Sequence, residues 1–300
     1  MTEFIEAVRQ QPFLQTALLT GLLASVACGV VGSYVVVRRI TYIAGGIAHC
    51  VLGGLGAARY LAVEHGWRYY HPLHGWEPLH PLVGAVVAAL LAAVIIAVVS
   101  LRGRQREDTV IGALWAIGMA TGVLFIAKTS GYQVDLMSYL FGSVLMVGRD
   151  DLWLLLALDV LVVGVGLLFY NQFLAVCFDE EFARLRGVRV EVFYVLLLCL
   201  TALTVVLLVS VVGIVLVIAL LTLPVAVAGH FCRSLWQLML AAALLSMLLT
   251  TSGLALSYGP DLPAGATTIV LAGTLYVLTL LGARLATGLS ARRKARAGAA

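Results

Sequence analysis

The sequence predicts an all-α protein, a polytopic transmembrane helical bundle of eight or nine spans. Three observations carry that expectation. Of 300 residues, 62% are hydrophobic and only 11% charged, whereas a soluble domain keeps about 25% of its residues charged. Apolar runs of about 20 residues, the length a helix needs to cross a bilayer core, recur along the chain. Basic residues cluster between alternate runs, the pattern expected of loops that stay on the cytoplasmic side.

In order, the apolar runs fall near 13–37, 40–63, 81–101, 109–128, 150–176, 191–210, 212–231, 234–257 and 265–287. The stretch 191–231 is continuously apolar and too long for one crossing, and Gly213 gives a place to divide it. A wrong division there changes the count by one. Segment 134–147 is too short to span upright and carries Asp135 and Gly142, which suits a re-entrant or gate segment. The N-terminus has Glu3 and Glu6 before a late-starting apolar run and lacks the basic start of a secretory signal, so the first helix is expected to be retained. The chain 1–300 reads as a single transmembrane domain.

Orientation follows from Lys and Arg. Placing Arg38, Arg39, Arg102, Arg104, Arg106, Arg184, Arg186, Arg189, Arg233, Arg284 and the tail inside puts 14 of the 19 basic residues on one face. The N-terminus is then outside, and the basic tail 288–300 is cytoplasmic, where it meets anionic lipid.

Two function classes drop out. No Gly-rich loop ending in Gly-Lys-Ser/Thr occurs, so any ATP chemistry comes from a partner and the chain is not itself the ATPase. Cys28, Cys50, Cys177, Cys199 and Cys232 are scattered singly without a Cys-x-x-Cys pair, so neither a zinc ribbon nor a disulfide framework is indicated.

The second run is the most informative. Gly45, His49, Gly53 and Gly56 recur at spacings of four, four and three, which places them on one helical face. Small residues on one stripe let another helix approach closely. The first run carries a similar stripe, Gly21, Ser25, Gly29 and Gly32, and is the expected packing partner. His49 is an ionisable ring on a packed intramembrane face, a functional candidate by default and a suitable ligand for divalent transition metals. The alternative is a histidine that only bonds a backbone carbonyl.

Loop 64–80 holds four of the six histidines, His65, His71, His74 and His80, with Glu64 and Glu77. Their irregular spacing suits a weak external metal-collecting surface and no fixed tetrahedron. The competing reading is an interfacial loop with an aromatic belt from Trp67, Tyr69, Tyr70 and Trp76.

Segment 179–190 reads as a short cytoplasmic helix with its stops written in. Asp179 caps the first amides, Glu180 and Glu181 complement the positive start, Arg184 and Arg186 sit at the negative end, and Gly187 supplies the left-handed closing residue. Phe182 and Leu185 are apolar contacts suited to a groove on a soluble partner, or to a lipid surface. Asp159 lies inside the fifth run, where a carboxyl serves a proton or cation.

The run from Gly29 to Gly54, with Arg38-Arg39 ending the first helix and Ala48-His49-Cys50 in the second, resembles the zinc/manganese/iron ABC importer permeases, among them the membrane protein of the bacterial high-affinity zinc importer. Val134 to Gly142, Asp179 to Gly187, Leu220 to Ala228 around Pro224, and Pro263-Ala264-Gly265 follow the same family pattern in order. The resemblance implies an ABC importer permease that moves zinc, manganese or iron inward through the bacterial inner membrane and binds no permanent cofactor. It implies a permease homodimer, two cytoplasmic ATP-binding subunits and an extracytoplasmic metal-binding protein. It assigns the metal pathway to His49, with Cys50 beside it, and ATPase coupling to Asp179 through Gly187. The chain departs from the family at Gly45, where many relatives carry Asp, and at Ala116, where the zinc branch often carries a second His. The missing carboxylate at Gly45 leaves open a permease for a metal chelate, and Asp159 leaves open a proton-driven secondary cation transporter.

Overall fold

The computed structural model describes residues 2–71, 75–102, 106–130, 149–260 and 262–297. The gate segment expected at 134–147 and His74 lie outside the described residues. The described residues form twelve α-helices and one two-stranded hairpin. The short amphipathic α1 (Thr2–Gln10) turns Phe4 and Ala7 onto Leu14 and Ala17 of α2 (Pro12–Val37), where Pro12 starts the helix with its ring already at helical φ. Next come α3 (Thr41–Glu64), the hairpin β1 (Arg68–His71) and β2 (Gly75–Pro78), α4 (Pro81–Arg102) and α5 (Glu107–Lys128). The remainder is α6 (Arg149–Leu168), α7 (Tyr170–Phe178), α8 (Glu180–Leu185), α9 (Val190–Val212), α10 (Ile214–Ala228), α11 (Leu235–Tyr258) and α12 (Ala264–Ala297).

Among the described residues, seven helices (α2, α3, α4, α5, α9, α11 and α12) are long and apolar enough to cross a membrane, and the pair α6–α7, bent by 71°, makes eight. Each of the nine apolar runs therefore yields helix, but the seventh is the shorter α10. Its 15 residues span about 22 Å at 1.5 Å per residue, less than the roughly 30 Å bilayer core. The cause is local. Gly213 adopts φ 87 and ψ 156, a conformation open essentially to glycine alone, and it breaks the apolar stretch into α9 and α10 where the sequence suggests.

The expected pairing of the first two long helices is overturned. The glycine stripe of α2 packs against α10 and α11: Gly29 lies against Ala243, and Gly32 against the backbone of Leu221. Helix α3 packs instead on α4 and α5. A connection of only Arg38, Arg39 and Ile40 joins α2 to α3, so their shared end is close while their stripes face different neighbours. Tyr34, fully buried on α2, donates from its hydroxyl to the Gly166 carbonyl of α6 at 3.0 Å and sets its ring edge-on to Phe173 of α7. The bend at Phe169 is thus held by one side chain of α2, and the core of the bundle is shared by α2, α3, α4, α9 and α10.

Candidate functional site

Helix α3 places His49 about 12 Å along its axis from Thr41, buried to 9% exposure. The ring's Nδ1 lies 2.9 Å from the carbonyl of Gly45, one turn earlier. A carbonyl only accepts, so Nδ1 carries a proton, and in the neutral ring that leaves the lone pair on Nε2. That is the tautomer in which an imidazole ligates a divalent metal, with its other nitrogen fixed by a backbone acceptor. The backbone-bonding and the metal-ligating readings of this histidine are therefore compatible.

The face of the ring is covered by α5. The indole of Trp115 stacks on it with centroids 4.2 Å apart and planes 24° from parallel, and the Tyr42 ring packs on Trp115 in turn, tilted by 35° at 5.8 Å. Gly45 makes room for this stack: a Cβ built there lies 3.0 Å from the Trp115 ring. Farther along, Gly53 and Gly56 lie so close to α5 that an added Cβ sits 2.8 Å from the carbonyls of Gly118 and Gly122. The stripe read from sequence therefore faces α5. Neighbouring Cys50 is buried, and its thiol donates to the Leu114 carbonyl of α5 at 3.3 Å. Ala116, also on α5, is exposed and supplies no ligand.

Among the described residues no cluster of three or more His, Cys, Asp or Glu side chains could hold a metal ion. Among the described residues His49 is the lone imidazole on α3 and α5, and a lone donor suits passing contact with an ion better than storage.

The described histidines of loop 64–80 each sit in a different local setting. His65, at the end of α3, packs its ring on Tyr60, and His80 accepts the Leu82 amide at its Nδ1, starting α4. His71 ends β1, paired with Gly75. The loop is a short hairpin in which Tyr69 donates its hydroxyl to Glu77, with Trp67 and Trp76 largely exposed at its margins. Burial and the Glu77 carboxylate push the Tyr69 phenol up from its ordinary pKa.

The short helix α8 is built as its sequence suggests. Asp179 accepts the Phe182 amide at 2.9 Å as its N-cap, and Gly187 closes it at φ 78 with the Val188 amide bonded to the Ala183 carbonyl. Ala183 anchors the helix among Val176 and Val190. Phe182 and Leu185 face outward, Leu185 87% exposed. Arg184 pairs with Glu191, Arg186 lies over the Phe182 ring, and Glu180 pairs with Arg38 at the end of α2; Glu181 is exposed. Asp159 is buried on α6 and its Oδ2 has no hydrogen-bond partner.

Sequence reasoning missed Trp115 and Tyr42. An aromatic residue inside an apolar run carries no signal of its own, and only the missing side chain at Gly45 hints that something bulky sits opposite. It also missed the Arg38–Glu180 pair, whose members are far apart in sequence.

Comparison with known proteins bears on identity. Residues 10–283 match the model of the ABC 3 transport family. The chain is 40% identical over 270 residues to a probable metal transport system membrane protein of Chlamydia muridarum, covering 90% of this chain and 89% of the relative. It is 30% identical over 281 residues to the manganese import system permease protein ScaB of Streptococcus parasanguinis, covering 93% and 94%. Among solved structures, PsaBC from Streptococcus pneumoniae in complex with Fab superposes with a TM-score of 0.79 at 27% identity, over 93% of this chain and 94% of that one. With the family pattern running through nearly every helix described above, the chain belongs to the ABC 3 transport family of membrane permeases.

Proposed function

We propose that the chain is the permease subunit of an ATP-binding-cassette importer that carries a divalent metal ion, manganese, zinc or iron, into the cytoplasm of a bacterium. The single observation that carries this reading is His49, an imidazole fixed at Nδ1 by Gly45 and stacked on Trp115 about two turns into a membrane-spanning helix. The names of the relatives, a metal transport protein and a manganese import permease, support the same cargo class. The metal is cargo rather than a resident cofactor.

Two copies of the permease work with two cytoplasmic ATP-binding subunits and an extracytoplasmic metal-binding protein. In the inner membrane the N-terminus is outside and the basic C-terminal tail is cytoplasmic, as the Lys/Arg distribution favours, with the short α10 making a ninth crossing. The exposed Phe182 and Leu185 of α8 dock on the ATP-binding subunit, with Asp179, Glu180, Glu181, Arg184 and Gly187 shaping the helix. ATP binding in the partners switches the side from which His49 is reached. The test is uptake of radiolabelled manganese, zinc and iron by cells expressing His49→Ala at wild-type membrane levels. Loss of uptake of one of these ions is expected; undiminished uptake of all three overturns the assignment of His49.

A further inference from the structure

Resting on the reading of the chain as an ATP-driven permease, we propose that Arg38 is a positioning residue that carries the movement of helix α8 to both helices of the His49–Trp115 stack. Arg38 stands where α2 ends, and its guanidinium makes three kinds of contact at once. One nitrogen pairs with Glu180 in the first turn of α8. The other donates to the Val176 carbonyl in the last turn of α7, at 3.1 Å. The guanidinium carbon lies over the ring of Tyr194 of α9, 5.4 Å from its centroid.

From this point two routes lead to the stack. The first runs through the elbow between α2 and α3. Arg39 adopts φ 63, the only described non-glycine residue with positive φ, and the turn is closed by the Arg39 amide on the Val36 carbonyl at 3.0 Å and the Ile40 amide on the Val35 carbonyl at 2.9 Å. A left-handed non-glycine residue persists only where its surroundings hold it. The elbow is therefore a hydrogen-bonded corner, and α3, with His49 about two turns in, starts from it. The second route runs through Tyr194, whose hydroxyl lies 3.1 Å from Ser100 Oγ at the end of α4 and donates to Glu107 Oε1 at 3.3 Å. Glu107 opens α5, the helix that carries Trp115.

The second ion pair of α8, Arg184–Glu191, has a different character. Both partners are more than half exposed and it ties α8 to the helix that follows it in the chain. Arg38–Glu180 is the less exposed pair, at 22% and 37%, and it alone of the two reaches back to α2. A polar cleft bordered by Arg39, Tyr42, Glu107 and Tyr194 adjoins these contacts, so they can shift without repacking the apolar core.

The experiment uses the full transporter, permease with its ATP-binding subunits, reconstituted in liposomes with the metal-binding protein and manganese, zinc or iron as probe. ATP hydrolysis and metal uptake are measured together. Arg38→Ala is expected to leave ATP hydrolysis running while uptake per ATP falls about 5-fold or more. Glu180→Arg, in the docking helix itself, is expected to lower the same ratio whatever it does to hydrolysis, and Arg38→Glu combined with Glu180→Arg to restore the ratio. A merely structural role lowers both rates together and leaves their ratio unchanged, which overturns the proposal. So does a charge-swapped complex that assembles and is not restored. If Arg38→Ala fails to assemble, the Glu180→Arg and swapped forms decide by the same ratio. Failure of the underlying reading looks different: the unaltered complex then shows no ATP-dependent uptake of any of the three ions. Failure of the inference alone leaves that uptake intact and Arg38→Ala indistinguishable from it.

Discussion

The imidazole of His49 and the indole of Trp115 come from different helices and lie nearly parallel, 4.2 Å between ring centroids. With Nδ1 committed to the Gly45 carbonyl, the stack restricts the ring's remaining freedom to rotate, and on the proposed metal pathway Nε2 would be oriented before an ion arrives. Preorganisation of this kind costs the ion less on entry.

Removing the stack therefore weakens transport without removing the ligand. An aromatic pair contributes about 0.5–1.5 kcal/mol beyond its buried area, so Trp115→Ala is expected to lower metal uptake by about 2- to 13-fold. Trp115→Phe, which keeps a ring face over His49, is expected to retain most of it. Initial rates of labelled-metal uptake at matched membrane levels check this.

Close helix approach makes a prediction at Gly53. A Cβ there meets the Gly118 carbonyl at 2.8 Å, and backbone cannot step aside as a flexible side chain does. Gly53→Ala is expected to destabilise the bundle by about 1–3 kcal/mol. Gly273→Ala on α12, where nothing lies within 4 Å, is expected to be neutral or stabilising, since alanine favours helix by up to about 1 kcal/mol over glycine. Thermal unfolding of the detergent-solubilised protein, followed by size exclusion, separates the two.

Tyr34→Phe deletes only the hydroxyl that satisfies the Gly166 carbonyl in the last turn of α6. Hydrogen bonds between membrane helices are worth about 0.6 kcal/mol on average and at most about 1.7, so a small drop in the same thermal assay is expected. Tyr34→Ala also removes the fully buried ring packed on Phe173 and is expected to cost about 3–5 kcal/mol.

The cap of α8 predicts a binding defect. Asp179→Ala frees the Phe182 amide and costs about 0.5–2 kcal/mol of helix stability, whereas Asp179→Asn keeps a capping oxygen. Co-purification of the ATP-binding subunit is expected to fall for Asp179→Ala and to persist for Asp179→Asn. Gly187→Val, forcing a β-branched residue to φ 78, is expected to behave like the alanine variant.

Most of this architecture was legible because hydrophobic length and backbone chemistry are local. The apolar runs, the division at Gly213 and the cap and stop of α8 each depend on a few consecutive residues, and the structure keeps them. The choice of neighbour is not local. Two similar glycine stripes on α2 and α3 suggest a pair, yet Gly29 and Gly32 receive α11 and α10, and Gly53 and Gly56 receive α5. Sequence states that a close approach occurs and leaves open who approaches. His49 could be selected for the same local reason, but its stacking partner Trp115 and the Glu180 partner of Arg38 depend on long-range folding. The hairpin inside loop 64–80 was hidden by its length, since two four-residue strands give too short an alternation to read.

The glycine seam of α3 also limits how this molecule can change shape. Where Gly53 and Gly56 touch the α5 carbonyls and Gly54 meets the backbone of Gly84 on α4, there are no rotamers to exchange, and a slide of one residue brings Leu52 or Leu55 to a place that admits no side chain. Any swing of these three helices is therefore expected to carry them together as one wedge. Mutations that speed or slow the swing belong at the wedge's corners, and those along the seam can only split it.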